Sequence, residues 1–351
     1  MLADVARDAG TSESTASRAL KDDPRIGEAT RAAVRASAAS LGYVPNAAAR
    51  SLRARRTHIL GLLLDDLADP VHGQLAAGVE AAAAEQGMAV FMMTGLHDLE
   101  REQRALRAFV EHRADGIILA SCVIDPTDVH ELVPTDRVVF VQPDYPRLAT
   151  SDASPERGVI RSDDAAGVTS TIGHLVERGY RTIAYVGAGQ TTSDLTRRRA
   201  ATAALEMIAA RPLRAYDAGM VGWRDPSAVA DALAADRPDA VICYDDKLAL
   251  GLVDALREWD LDVPSDIAVA GFDGIAAARR SRPRLTTVVV PWVELGRRAV
   301  EMLAAARNGS MPRSEVMPVE LVIGETTPPR EVMASRRRTA EPVAGAARGR
   351  G

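Results

Sequence analysis

Three pairs of adjacent carboxylates stand out among the residues able to do chemistry: Asp65-Asp66, Asp163-Asp164 and Asp245-Asp246. Each follows an apolar run that reads as a β-strand, so each falls at a strand's carboxyl end, where open α/β sheets bind ligands. Two uses are open to such pairs. One is general acid/base work in a sugar-active hydrolase. The other is helix capping and turn formation, where the carboxylate accepts a hydrogen bond from an orphan backbone N–H. No nucleophile, metal triad or oxyanion site accompanies the pairs, so catalysis has no assembled machinery. The six histidines, His58, His72, His97, His112, His130 and His174, show no metal-ligand spacing. Cys122 and Cys243 stand alone in apolar runs and read as core thiols in a reducing cytosol. Gly187-Ala188-Gly189 follows a strand but lacks the third glycine of a dinucleotide loop, and there is no phosphate-loop Gly-Lys-Ser/Thr. No cofactor or metal is expected.

A different chemistry is written at the N-terminus. Residues 4–20 read as two short helices with a tight turn, Val5, Ala6 and Ala9 forming one apolar face and Ala16, Ala19 and Leu20 the other. Gly10 supplies the positive φ of the turn, and Thr11 or Ser12 can cap the second helix. That helix turns Glu13, Ser14, Ser17 and Arg18 outward, a face suited to reading DNA, although an ordinary helical hairpin has the same spacing. Residues 26–41 form a third amphipathic helix, with Gly27 as N-cap and Gly42 just past its end.

Charge is divided unequally along the chain. The net charge is −5, yet residues 1–56 hold ten Lys/Arg and six Asp/Glu, so this stretch carries +4 and the remainder −9. A basic head on an acidic body fits a head that meets phosphates and a body that does not. The opening Met1-Leu2-Ala3-Asp4 has no basic segment followed by an apolar run, and no apolar stretch reaches membrane-spanning length. These features predict a cytoplasmic protein without a secretory signal or a membrane partner.

From His58 the pattern becomes alternating strand and helix. The first strand, residues 59–64, is continuously apolar, as a strand buried on both faces must be. A first set of strands and helices runs to Val141. A second set begins with a strand at Val159 to Ser162 and continues through strands at 182–186, 240–244 and 267–271. This alternation predicts doubly wound parallel sheets. Residues from Arg330 on are rich in Arg, Ala, Gly and Pro without periodicity and read as a disordered tail.

The head carries Asp4-Val5-Ala6, Ala9-Gly10-Thr11-Ser12, Thr15-Ala16-Ser17-Arg18 and Leu41-Gly42-Tyr43-Val44-Pro45-Asn46, then Ala49-Arg50-Ser51-Leu52. This series strongly resembles the lactose/galactose-repressor (LacI/GalR) family of bacterial transcription regulators, and the likeness continues more loosely to about Pro329. The resemblance implies an N-terminal all-α helix-turn-helix domain, 1–45, and a hinge helix and linker, 46–56. It implies an α/β core of two doubly wound parallel-sheet lobes, 57–329, like periplasmic binding proteins. The first lobe would comprise about 57–157 and 289–318, the second about 158–288 and 319–329, with the tail at 330–351.

In function the resemblance implies a homodimer, since the tail has no leucine heptad for tetramers. It would bind a pseudo-palindromic double-stranded DNA operator as a repressor and answer to a small polar effector, a sugar. The DNA contacts would come from Thr11, Ser12, Glu13, Ser14, Thr15, Ser17 and Arg18, with Arg7, Arg50 and Arg53 on phosphates. Asn46 would cap the hinge helix, Ala49 would allow close approach, and Leu52 would wedge into the minor groove. By itself the sequence suits Leu52 better to packing as a linker leucine. The effector cleft would take Asp69 and His72 from the loop after the first strand, then Arg197, Asp246, and Phe272 with Asp273. Trp223 reads either as an apolar wall against a sugar or as an ordinary core or surface aromatic. Departures from the family pattern fall in this cleft: Asp69-Pro70-Val71 stands for Asn-Pro-Phe, Ala200 for a Gly, and Gly324 for an Arg. Other classes remain to be weighed, namely a cytosolic sugar-binding module and a sugar-active hydrolase using the Asp pairs.

Overall fold

The computed structural model describes residues 1–43, 56–144, 157–189, 191–209, 211–218, 226–310 and 313–330. The proposed hinge residues Asn46, Ala49, Arg50, Leu52 and Arg53 lie outside the described residues, as do Trp223 and the tail beyond Arg330. The chain divides into two units, Met1–Thr57 and His58–Gly351.

The first unit is three helices, α1 (Leu2–Asp8), α2 (Glu13–Ala19) and α3 (Glu28–Ser40). Its core is small: Val5, Ala6, Ala16, Ala19, Val34 and Ala38, flanked by Leu2, Ala9, Leu20, Ile26 and Tyr43. Alanines on the facing sides of α1 and α2 let the two backbones approach closely. Gly10 takes φ 64 between them, and Gly42 takes φ 58 beyond α3. Of the two candidate caps, Ser12 does the work: its Oγ accepts from Thr15 N at 3.1 Å. Ser37 Oγ donates to Asp8 Oδ2 at 2.6 Å, tying α3 to the end of α1.

The second unit opens with β1 (Ile59–Leu64), α4 (Pro70–Glu85), β2 (Ala89–Thr94), α5 (Leu99–Glu111), β3 (Gly116–Ala120), α6 (Pro126–Leu132), β4 (Val138–Val141) and β5 (Val159–Ser162). It continues through α7 (Asp164–Glu177), β6 (Ile183–Gly187), α8 (Thr192–Ala209), β7 (Arg214–Asp217), α9 (Ser227–Asp236), β8 (Ala240–Cys243), α10 (Asp246–Glu258), β9 (Ala268–Asp273) and α11 (Ala276–Arg280). It ends with β10 (Thr286–Val289), α12 (Trp292–Arg307), β11 (Glu315–Met317) and β12 (Glu320–Val322). The strands form two six-stranded sheets, in the orders β11-β5-β4-β3-β1-β2 and β12-β10-β9-β8-β6-β7. The first is wholly parallel; in the second only β12 runs antiparallel, against β10.

Two expectations about the lobes need correction. The strand Val159–Ser162 was expected to open the second lobe. It instead pairs with β4 through Phe140↔Val159 and with β11, so it belongs to the first sheet. A short apolar strand does not encode which sheet it joins; that is decided by the edge left open beside β4. Likewise Thr286–Val289 pairs with β9 in the second sheet, and the return to the first lobe comes only at Val290-Pro291. The chain thus passes between lobes three times, after β5, after β10 and after β11.

Packing of the first sheet explains its glycines. On one face Phe109 of α5 sits so close to β1 that a Cβ on Gly61 would lie 2.7 Å from its ring. On the other face α4 and α12 touch backbone to backbone: a Cβ on Gly78 would lie 1.9 Å from Val293 O, and one on Gly296 would lie 2.3 Å from Leu75 O. This contact fixes the first residue of α12, Trp292, beside the start of α4. The edge strands β7 and β11 and the short helices α6 and α11 had no counterpart in the sequence reading. β7 is largely exposed and polar, so it shows no apolar run.

Candidate functional site

On the three-helix unit, α2 presents the residues expected to read bases. Ser12, Glu13, Ser14 and Arg18 are exposed; Thr11, Thr15 and Ser17 are half-buried; Ala16 and Ala19 face the core. Thr15 also shares a 2.9 Å hydroxyl contact with Ser12, so both serve the cap as well as the surface. The acidic Glu13 opens α2 and the basic Arg18 closes it, the arrangement the helix dipole favours.

In the lobed unit, loops at the carboxyl ends of both sheets enclose a cleft of about 610 Å³, counting the part open to solvent, a size usual for small-ligand sites. Asp69, His72, Arg197 and Asp273, all expected in its wall, line it. Asp69 caps α4, accepting from Val71 N at 3.0 Å. His72 is buried and held on both sides, Nδ1 to Asp66 O at 2.8 Å and Nε2 to Ser121 Oγ at 3.1 Å. Donation from Nδ1 and acceptance at Nε2 satisfies both contacts.

Arg197 is the centre of the second lobe's wall. Its Nε donates to Asp164 Oδ2 at 2.9 Å, Nη1 to Tyr244 O at 2.5 Å, and Nη2 stands 3.7 Å from Asp273 Oδ1. Its guanidinium lies over the Phe272 ring, 3.7 Å from the centroid, a cation–π contact. Burial opposes the Arg197 charge, but Asp164 and Asp273 outweigh it and raise the pKa further. Asp273 is held at φ 104 at the end of β9, a strained backbone for a residue with a side chain. Burial pushes its carboxyl well above the usual range, against the pull of Arg197.

Two expected wall residues stand behind the wall instead. Phe272 is buried as the platform under Arg197. Asp246 is fully buried; Oδ1 accepts from Thr287 Oγ1 at 2.5 Å and Oδ2 from Ile275 N at 2.9 Å. It braces the β9–α11 corner, and burial raises its pKa to about 7 against those hydrogen bonds. The physical reason is helical geometry: successive residues at the start of α10 point in different directions, so Asp245 reaches the cleft and Asp246 the interior.

The same division of labour runs through the other pairs. Asp66 and Asp163 close local turns, accepting from Ala68 N and Ala166 N at 2.9 Å each, while Asp65 lines the cleft and Asp164 binds Arg197. The capping explanation therefore covers one member of each pair. Asp245 does both, capping α10 through Leu248 N at 2.7 Å and facing the cleft.

The sequence reading singled out the pairs that hold Asp65 and Asp245, both of which line the cleft, and missed His97, Asp144 and Trp292. His97 bridges two carboxylates, with Nδ1 2.7 Å from Asp65 and Nε2 3.2 Å from Asp144. Hydrogen bonding to Asp144 and Asp65 lifts its pKa to about 10, against burial, so it is a cation at neutral pH. Asp144 also accepts from Thr192 N, reaching from the first lobe to the start of α8 in the second. Lys247 makes a second cross-lobe bridge, contacting Asp69 on one side and Asp245, at 3.5 Å, on the other. Trp292 is 5% exposed, and its Nε1 has no hydrogen-bond partner among the described residues. A buried aromatic at a strand-to-helix turn was the available signal for it. Among the described residues no group of His, Cys, Asp and Glu is arranged to hold a metal ion.

With this geometry in hand, likeness to known proteins becomes informative. Residues 1–46 match the model of bacterial regulatory proteins of the lacI family, and residues 172–327 match a periplasmic binding protein-like domain. The HTH-type transcriptional regulator GalR of Salmonella typhimurium is 32% identical over 323 residues, covering 90% of this chain and 91% of that protein. The chain belongs to the lacI family. The ribose operon repressor of Escherichia coli is 31% identical over 311 residues, covering 86% of this chain and 91% of its own length. The crystal structure of the lac repressor dimer bound to operator and the anti-inducer ONPF superposes with a TM-score of 0.81 at 26% identity, over 93% of this chain and 99% of that one. The protein is a DNA-binding transcriptional regulator with a lacI-family helix-turn-helix head and a two-lobed periplasmic-binding-protein-like core; its relatives are regulators rather than enzymes.

Proposed function

We propose that the protein is a cytoplasmic, homodimeric repressor whose affinity for a pseudo-palindromic operator is set by a sugar bound between the lobes. The observation that carries the effector half is the cleft itself: Arg197, Asp273 and Asp69 converge with Trp292 at the carboxyl ends of both sheets. Charged hydrogen-bonding groups beside an aromatic face are what a ring bearing many hydroxyls needs. One relative is named a ribose operon repressor, and the lac repressor relative was solved with operator and an anti-inducer, which supports the same pairing of DNA with a small ligand here. Among the described residues no helix is long and apolar enough to cross a membrane.

In this reading Glu13, Ser14 and Arg18 contact base edges, Thr11, Ser12, Thr15 and Ser17 support or extend that face, and Arg7 contacts phosphate. Residues 1–45 form the reading head and 46–56 the hinge, with Asn46 as its cap, Ala49 at the close approach, Arg50 and Arg53 on phosphates and Leu52 as the minor-groove wedge. Residues 57–329 respond to the effector. The sugar favours one arrangement of the lobes over the other, and DNA affinity shifts only as far as its affinities for the two arrangements differ.

The test is fluorescence anisotropy of the full chain on a labelled genomic inverted repeat. A preference over random duplex of about a thousandfold or more is expected at physiological salt. Arg18→Ala should reduce that preference by about tenfold or more. Ribose and common hexoses are then titrated for release. A purified protein that remains monomeric and shows no greater affinity for any genomic duplex than for random DNA would end this reading.

A further inference from the structure

The cleft's charges are organised around three cations, and each cation is already shared by two carboxylates. His97 lies between Asp65 and Asp144, Lys247 between Asp69 and Asp245. Arg197 lies between Asp164 and Asp273. Of these groups, His97 and Arg197 line the cleft with Asp65, Asp69, Asp144, Asp245 and Asp273, while Lys247 and Asp164 pair with lining residues from behind the wall; no other Lys or Arg lines the cleft among the described residues. The remaining cleft histidine, His72, spends both ring nitrogens on Asp66 O and Ser121.

We infer, building on the sugar-cleft reading above, that the effector carries no negative charge: the site takes an uncharged or amine-bearing sugar and rejects sugar phosphates and sugar acids. A phosphate or carboxylate bound here would need cations to face it. Each of these cations is already matched by two carboxylates, so an anion would add negative charge that nothing here compensates, inside a partly buried site where such charge is costly. Hydroxyl and ammonium groups face the opposite situation. They donate hydrogen bonds, and the carboxylates that bracket each cation keep lone pairs to accept them.

Trp292 lines the same cleft, with its Nε1–H covered and without a partner among the described residues, so what it offers a ligand is an apolar wall beside the carboxylates.

The experiment is a thermal-shift series on the full chain. Pentose, hexose and disaccharide skeletons are each presented as the free sugar, the amino sugar, the sugar acid and the sugar phosphate, at millimolar concentration. Stabilisation of about 2 °C or more by a free or amino sugar, and none by the acid or phosphate of the same skeleton, is the expected result. A sugar acid or phosphate that stabilises as well as or better than its parent overturns the charge rule while leaving the sugar cleft in place, provided the shift is lost in Trp292→Ala. Silence from every free and amino sugar, in a preparation that still binds its operator, overturns the charge rule and the sugar-cleft reading together.

Discussion

Charged groups on the surface of the head and in the cleft wall of the lobed unit live in opposite surroundings. On the head, the side chains of Arg7 and Asp4 are 80% and 47% exposed, and those of Arg35 and Asp22 are 57% and 65% exposed. In the lobed core Arg197 and Asp164 are 3% and 6% exposed. Exposed pairs contribute little to stability and are screened by salt, so the head's cations can exchange a carboxylate for a phosphate at low cost. Buried pairs cannot exchange freely, because each member is solvated only by its partner. The head is thus built to meet a partner by charge, and the cleft is built to hold a fixed pattern of charge against a neutral one.

The largest test of this contrast is Arg197→Met. Removing the guanidinium leaves Asp164 and Asp273 buried without their cation, which should destabilise the core by about 3–5 kcal/mol. Chemical denaturation followed by Trp fluorescence reads the change. A loss below about 1 kcal/mol would show that the buried network behaves like the exposed pairs of the head, and the contrast would fail.

A second test uses pH. The folded pKa of Asp246 is raised to about 7 from the ordinary aspartate value of 3.8. Below pH 4 both states hold the proton; between about pH 4 and 7 the folded state keeps a proton that the unfolded state has lost. This group's contribution therefore falls as pH rises through that window, by at most about 1.4 kcal/mol per pH unit. Asp246→Asn removes the proton and should flatten the fall relative to wild type, measured as stability at pH 5, 6 and 7. Parallel curves for the two proteins would refute the buried assignment. His97 is raised as well, from 6.5 to about 10, so its stabilisation is complete below about pH 6.5 and is lost progressively between there and pH 10, overlapping this window only at its upper edge and equally in both proteins.

Gly296→Ala sharpens the comparison from the packing side. The new methyl meets Leu75 O, backbone rather than a movable side chain, so α12 must shift away from α4, at a cost of about 1–3 kcal/mol. Because Trp292 begins α12, sugar affinity should fall with stability. Unchanged stability would mean that the two helices are further apart than described. The smallest effect is expected in the head: Ser12→Ala removes the cap of α2, worth about 1 kcal/mol. It should appear as weaker operator binding and lower helicity of the head, with the core's unfolding transition in place. A shift of the core transition by this variant would break the separation of the two units.

The same contrast governs what was legible beforehand. In the head each decisive feature is local. Gly10 at the turn, Ser12 at the cap and alanines at Ala16 and Ala19 all act within a few residues of themselves, and helical periodicity alone assigns inside and outside. In the core the strands were readable as apolar runs, but not their membership. Val159–Ser162 was placed in the wrong lobe because the choice of sheet is a matter of which edge is open.

The sequence by itself determined the family, the helix-turn-helix with its exposed Glu13, Ser14 and Arg18, the alternating α/β core, and the four cleft residues Asp69, His72, Arg197 and Asp273. Only the tertiary structure decided that Asp65 and Asp245 face the cleft while Asp164 stands behind it on Arg197, that Phe272 lies under Arg197, and that His97, Asp144, Lys247 and Trp292 complete the site. The reason is range: capping and helical faces are set by neighbours a turn away, whereas the cleft gathers residues as far apart in the chain as Asp65 and Trp292. Whether a carboxylate there meets a cation or the protein interior depends on the direction of one bond after the chain has crossed between lobes.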